Sequence, residues 1–246
     1  MATQIRFAPF HRLDPRAVVL CSAIIVAVLA AGFGYDMATR TGINPLNFPW
    51  YIHLHAIAFS GWLILLVAQV VLVRSRNVAQ HRRMGRIAVV LLPLLLVTGP
   101  LAPILKNYYA ARPDPDWLSF MATQFTNVIG CVTLLTAGLL FRRDPPTHKR
   151  LMLMGTIAIT EPGFGRLIYA PLYAMLGEGY LPYYIETYGG TLTLMLTAGA
   201  YDLWTRGRPH PAWAAAFGWI VANQALASWL FYQPFWLNWM RVLTGH

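Results

Sequence analysis

The sequence predicts an all-α fold, a polytopic bundle of about seven transmembrane helices, on three observations. Charged residues are scarce, apolar runs recur at membrane-spanning length, and basic residues collect in alternate loops. Of the 246 residues, 57% are hydrophobic and 11% charged, with a mean hydropathy of +0.48, whereas a soluble domain carries about 25% charged residues. So few polar side chains cannot cover a surface in water, and the lipid bilayer is the expected surrounding. A single membrane domain is expected over residues 1–246, with a basic N-terminus over 1–16, the helical bundle over 17–231 and an interfacial tail over 232–246.

A helix needs roughly 18 to 25 apolar residues to cross a ~30 Å hydrocarbon core, where only a helix or a closed barrel satisfies its own backbone. Seven runs meet that length: 17–35, 51–73, 87–105, 117–141, 151–176, 183–204 and 211–231. The first is not followed by a small-residue cleavage site and is read as a retained helix rather than a signal peptide. Trp50, Tyr51, Trp117, Tyr183, Tyr184, Trp204 and Trp213 stand at run ends and are expected to form the aromatic belt. The tail, with Trp236 and Trp239, is expected at the interface.

The net charge of +10 would point to nucleic acid in a soluble protein, but the charges are placed otherwise. Arg6, Arg12 and Arg16, then Arg74, Arg76, Arg82, Arg83 and Arg86, then Arg142, Arg143, Lys149 and Arg150, then Arg206 and Arg208 all fall on alternate connections. The opposite side has only Arg40, Lys106, Arg112 and Arg241, with Arg166 inside a run. By the positive-inside rule, the N-terminus is expected in the cytoplasm and the C-terminus outside. Basic charge encodes topology here, and nucleic-acid binding is excluded. Cys21 and Cys131 lie in separate apolar runs and read as buried thiols rather than a disulfide.

Two of the basic loops share a pattern: His81-Arg82-Arg83-Met84 opens the third run and His148-Lys149-Arg150-Leu151 the fifth. Arg206-Gly207-Arg208-Pro209-His210 is a weaker echo before the seventh. The last six runs are thus candidates for three repeated hairpins behind an added first helix. The segment 53–86, with its His-rich entry, Gln69 and the His81–Arg86 loop, resembles, together with the His148 loop, a family of uncharacterised bacterial polytopic membrane proteins. Histidines at the ends of neighbouring helices also resemble, more distantly, the cytochrome b561 class. That resemblance implies haem b between helices, electron transfer across the membrane, and a quinone or another redox partner. Its axial ligands would come from His55, His81 and His148. The sequence departs from that class in having no histidine on the fourth or sixth run to complete a second pair.

The residues themselves suggest further sites. His55, Ala58, Phe59, Trp62, Leu66 and Gln69 follow helical spacing and share one face of the second run, whose polar members suit the bundle interior. His81, His148 and His210, at one membrane face, are candidate ligands for a transition metal, without the tight spacing of a strong metal motif. The fifth run contains Glu161-Pro162-Gly163-Phe164-Gly165-Arg166. Proline removes a donor and glycine weakens the helix, so a kink or break is expected there. Glu161 then lies roughly 15 Å from the end of its run, near the midplane, where ionisable groups are costly and tend to mark a substrate or proton path. Gln124 and Asn127 share a face of the fourth run, and Asn223 and Gln224 stand at similar depth in the seventh.

Three functions follow as alternatives: a haem-binding electron-transfer protein; a small-solute or proton-coupled transporter with Glu161 and Arg166 at its site; or an accessory subunit whose amides and one Glu161–Arg166 ion pair only hold helices together. Asp202 is expected to pair with Arg206, one turn later. The chain has no glycine-rich phosphate loop, no nucleophile elbow and no lysine in the seventh run for a retinal Schiff base.

Overall fold

A computed structural model describes residues 7–39, 44 and 47–246; Arg6 and Arg40 lie outside the described residues. Those residues form ten helices: α1 Asp14–Thr39, α2 Trp50–Arg74, α3 Val78–Gly85, α4 Ala88–Tyr108, α5 Pro115–Leu140, α6 Pro145–Ala158, α7 Glu161–Leu176, α8 Tyr180–Arg206, α9 Pro211–Phe231 and α10 Pro234–Leu243. Five stretches among them are long and apolar enough to cross a membrane: α1, α2, α3 with α4, α5 and α9.

The other two runs fall short for different reasons. The fifth is divided into α6 and α7, of 14 and 16 residues. The division sits at Ile159 and Thr160, directly before the Glu161-Pro162 pair. Pro162 has no N–H for the Ala158 carbonyl, and its ring suits the first turn of a new helix. The Thr160 hydroxyl donates back to Ile157 O at 2.7 Å, and the Gly163 and Phe164 amides begin α7 on Thr160 O. The sixth run became α8, 27 residues long, but Glu186, Asp202 and several Thr and Tyr side chains lower its hydropathy.

In lipid, helices gain little from the hydrophobic effect between themselves, so packing and polar contacts must hold them. α5 is the hub: it packs against α4, α6, α9 and α10 and buries residues along most of its length. Ile25, Trp62, Leu95, Leu135, Met154, Ile157, Met195 and Ile220 interlock in the main core. The expected inward face of α2 does turn inward, with Ala58, Trp62 and Leu66 buried. α1 and α7 meet backbone to backbone: a Cβ on Gly32 would lie 2.3 Å from Gly163 O, and one on Gly163 2.9 Å from Val28 O. Gly163 thus permits a helix crossing rather than making the break. α10 seats Met240 against Leu118 and Met121 of α5, and the Trp236 indole donates to Ser119 O at 3.1 Å. Cys21 and Cys131 are free thiols.

Candidate functional site

The interruption between α6 and α7 delivers Glu161 into the bundle. Its side chain is buried, and Asn127 Nδ2 on α5 donates to its Oε2 at 3.0 Å. Burial favours the neutral acid, whereas the Asn127 donor and the amide end of α7 favour the carboxylate. Among the described residues no ion pair joins it to a base.

Arg166 is not its ion-pair partner. Five residues apart on a helix, the two side chains point about 140° from each other. Arg166 lies 3.6 Å from Asp36 Oδ2 on α1, covers the Phe33 ring at 4.1 Å and donates to Pro162 O at 2.7 Å. The expected structural ion pair is therefore replaced by an Asp36–Arg166 contact between α1 and α7.

Toward the α7–α8 end, the interior next to Glu161 is polar. Thr123 Oγ1, one turn from Asn127 on α5, is 2.9 Å from the Tyr183 hydroxyl and 2.9 Å from the Tyr188 hydroxyl. Tyr183 and Tyr188 are both buried, which removes Tyr183 from the expected aromatic belt. Tyr184 leaves it too, because its hydroxyl donates to Gln224 Oε1 at 3.2 Å. Trp50, Trp117 and Trp204 remain exposed. Gln224 Nε2, Ser228 Oγ and Glu186 Oε1 are buried without a hydrogen-bond partner. The other predicted amides do not join this group: Gln124 is half-buried with no hydrogen bond to Glu161, and Asn223 donates to Trp219 O on its own helix at 2.8 Å.

The histidines separate into three places. On α2, the His55 Nδ1–H donates to Thr98 O at 3.1 Å, and the ring lies 4.4 Å from Phe59. Gln69, fourteen residues or about 21 Å further along α2, reaches His81. With its amide turned to suit its neighbours, its nitrogen lies 2.5 Å from His81 Nδ1 and its oxygen accepts from the Gly85 amide at 3.3 Å. The His81 and His148 rings meet edge to face, centroids 6.4 Å apart. The His148 Nδ1–H donates to Gly138 O at 2.7 Å. His210 caps α9, Nδ1 accepting from the Ala212 amide at 3.0 Å, with Phe7 against its ring.

These positions bear on the haem expected from the resemblance. His55 is too far from the other two to share an iron with either. The His81–His148 spacing suits two ligands of one ion, but a haem also needs a slot for its macrocycle. Two open depressions, one lined by Ala79, Arg82, Arg83 and Arg86 and one by residues of α4 and α5, do not border a histidine. The residues present do not fit the group. Nor do three potential metal ligands converge anywhere among the described residues.

A second polar cluster closes the basic end of the bundle. Asp14, at the start of α1, accepts from Lys149 Nζ at 2.5 Å, Arg206 Nη2 at 2.7 Å and the Tyr201 hydroxyl at 2.7 Å. Asp202 accepts both arms of Arg150, with Nε at 2.6 Å, and the His210 amide at 3.3 Å; Arg206 Nη1 stands 3.5 Å away. Arg206 is the expected partner, but Arg150 is the closer one. Phe7 lies over both guanidinium groups, at 4.8 and 5.2 Å. Burial raises the Asp14 carboxyl, but its three donors outweigh that and hold it well below the usual carboxylate range.

Comparison with protein-family models, curated proteins and solved structures gives no match. The functional argument rests on the chain's own residues.

Proposed function

We propose that the chain is a proton-coupled membrane protein, in which Glu161 takes up and releases a proton at the break between α6 and α7 as a small polar solute moves. The observation that carries this is a buried acid whose one bonded partner is a neutral amide. A carboxyl paired with arginine would be held ionised, and one in pure hydrocarbon would stay neutral. Glu161 stands between these limits, as a group that must change state does. Interrupted helices near the midplane serve transporters in the same way, exposing helix ends to substrate and ions.

In this reading α6 with α7, and α8, complete seven crossings in a bacterial inner membrane. The basic loops face the cytoplasm, and the C-terminus lies outside. Support comes from the meeting of Phe7, Asp14, Lys149, Arg150, Arg206 and His210 at one end of the bundle. Electron transfer has less support, because His55 stands too far from His81 and His148 to share an iron with either.

The test is infrared spectroscopy of the protein in lipid across a pH titration. A protonated-carboxyl band that titrates in the wild type and is missing in Glu161→Gln is the expected result. If the wild type and Glu161→Gln give identical titrations, Glu161 carries no exchangeable proton and the proposal is lost.

A further inference from the structure

An acid that exchanges protons in the interior needs a route to water, and the bundle holds one candidate. Tyr183, Thr123 and Tyr188 form a row of three buried hydroxyls with 2.9 Å between successive oxygens. Each hydroxyl can donate once and accept at least once, so the row has two orientations of equal connectivity, the condition for passing a proton along. Tyr183 lies at the α7–α8 end, its ring 4.2 Å from Phe231 at the close of α9. Tyr188 lies five residues, about 7.5 Å, deeper along α8, and Thr123 is about 6 Å along α5 from Asn127.

Unpartnered polar groups lie close by on α8 and α9. Ala122, Tyr188 and Ala227 pack together, which sets their chain neighbours Thr123 and Ser228 at one level, with Gln224 one turn away on α9. A buried donor without a protein partner normally holds an ordered water. Gln224 is 1% exposed and Ser228 0%, yet Gln224 Nε2 and Ser228 Oγ have none. Glu186, 2% exposed and without a partner at Oε1, stands one turn from Tyr183. Glu161 itself is met by Asn127 from α5, while Arg166 on α7 is turned toward Asp36.

We propose that the hydroxyls of Tyr183, Thr123 and Tyr188, continued by waters on Gln224 and Ser228, conduct protons between the α7–α8 end of the bundle and Glu161. The inference rests on the proton-carrying role of Glu161. Each hydroxyl oxygen accepts a proton as it gives up its own, so one proton is moved, the row ends with its bonds reversed, and the Glu161 carboxylate becomes the neutral acid. No other reactant is consumed.

The experiment exposes the protein in lipid to D2O and follows, by infrared spectroscopy, the rate at which the Glu161 carboxyl band shifts. Thr123→Val keeps the shape and removes the relay hydroxyl. It is expected to slow the exchange about tenfold or more, the rate cost of a barrier raised by a lost hydrogen bond. Thr123→Ser restores the rate, and Tyr183→Phe slows it as a second, independent break. Wild-type exchange in both Thr123→Val and Tyr183→Phe overturns the path while leaving Glu161 as a proton carrier. A wild-type spectrum with no band lost in Glu161→Gln fails the functional proposal instead.

Discussion

Among the described residues, buried ionisable groups collect in two places and are met in opposite ways. At the basic end, Asp14 and Asp202 are surrounded by Lys149, Arg150 and Arg206, with Tyr201 and the His210 amide completing the set. At the α6–α7 break Glu161 has an amide, and on α8 Glu186 Oε1 has no hydrogen-bond partner. A buried ion repays its desolvation only when paired and fully hydrogen-bonded. The first cluster meets that condition and ties the starts of α1 and α6 to the end of α8. The second does not, and the proposed function gives its Glu161 the proton. Carboxyl groups thus fasten helices at one end and stand without a cationic hydrogen-bond partner in the interior.

The largest effect should come from opening the paired cluster. Arg150→Met leaves Asp202 buried with its bidentate partner gone, and such a loss costs about 3–5 kcal/mol. Denaturant titration of the purified protein should show it. A variant as stable as the wild type would mean that Asp202 is held by its other contacts, and the contrast between the regions would weaken. A smaller loss, about 1–3 kcal/mol, is expected for Gly32→Ala, because the added Cβ would meet Gly163 O, a backbone atom that cannot swing aside. An unchanged midpoint there would show that α1 can slide along α7.

How much of this was legible in the sequence depends on how local the cause is. The helix break was readable because proline acts on its own turn. The inward face of α2 was readable because helical periodicity is local too. The loops of His81 and His148 gave the right neighbours through their repeated pattern. The partner of Arg166 was not legible: Asp36 is 130 residues earlier, and only the glycine crossing of α1 and α7 brings it close. Opening a run, Tyr183 and Tyr184 read as interfacial in the sequence, but the end of α9 and Trp236 of α10 cover that end of α8. Glu186 had a visible signal, an acid inside an apolar run, the same rule that drew attention to Glu161.

A moderate effect, and a pH-dependent one, is expected at the edge of the paired cluster. Burial, then the nearby Arg150 charge, lowers the His210 pKa below its usual value of about 6.5. The neutral ring is also the form whose Nδ1 can accept the Ala212 amide. The folded state therefore binds its proton less readily than the unfolded chain. Its contribution is complete above about pH 6.5 and is lost as pH falls through the lowered folded-state value. His210→Asn retains an acceptor at the cap without titrating, so the slope of stability between pH 7 and 5 should flatten by about 1 kcal/mol, the scale of one helix cap. An identical slope in the variant would assign the pH dependence elsewhere.

The smallest effect on stability is expected where the functional effect is greatest. Glu161→Gln keeps the length of the side chain and an oxygen for Asn127 Nδ2, and it breaks no ion pair, since Arg166 is engaged with Asp36. It also removes any cost of ionising a carboxyl in the interior. The denaturation midpoint should therefore stay within about 0.5 kcal/mol of the wild type, while the titrating carboxyl band disappears. A loss comparable to that of Arg150→Met would place Glu161 with Asp14 and Asp202 as a structural charge. A near-zero change in stability together with a lost proton is the pairing that a fastening role does not produce.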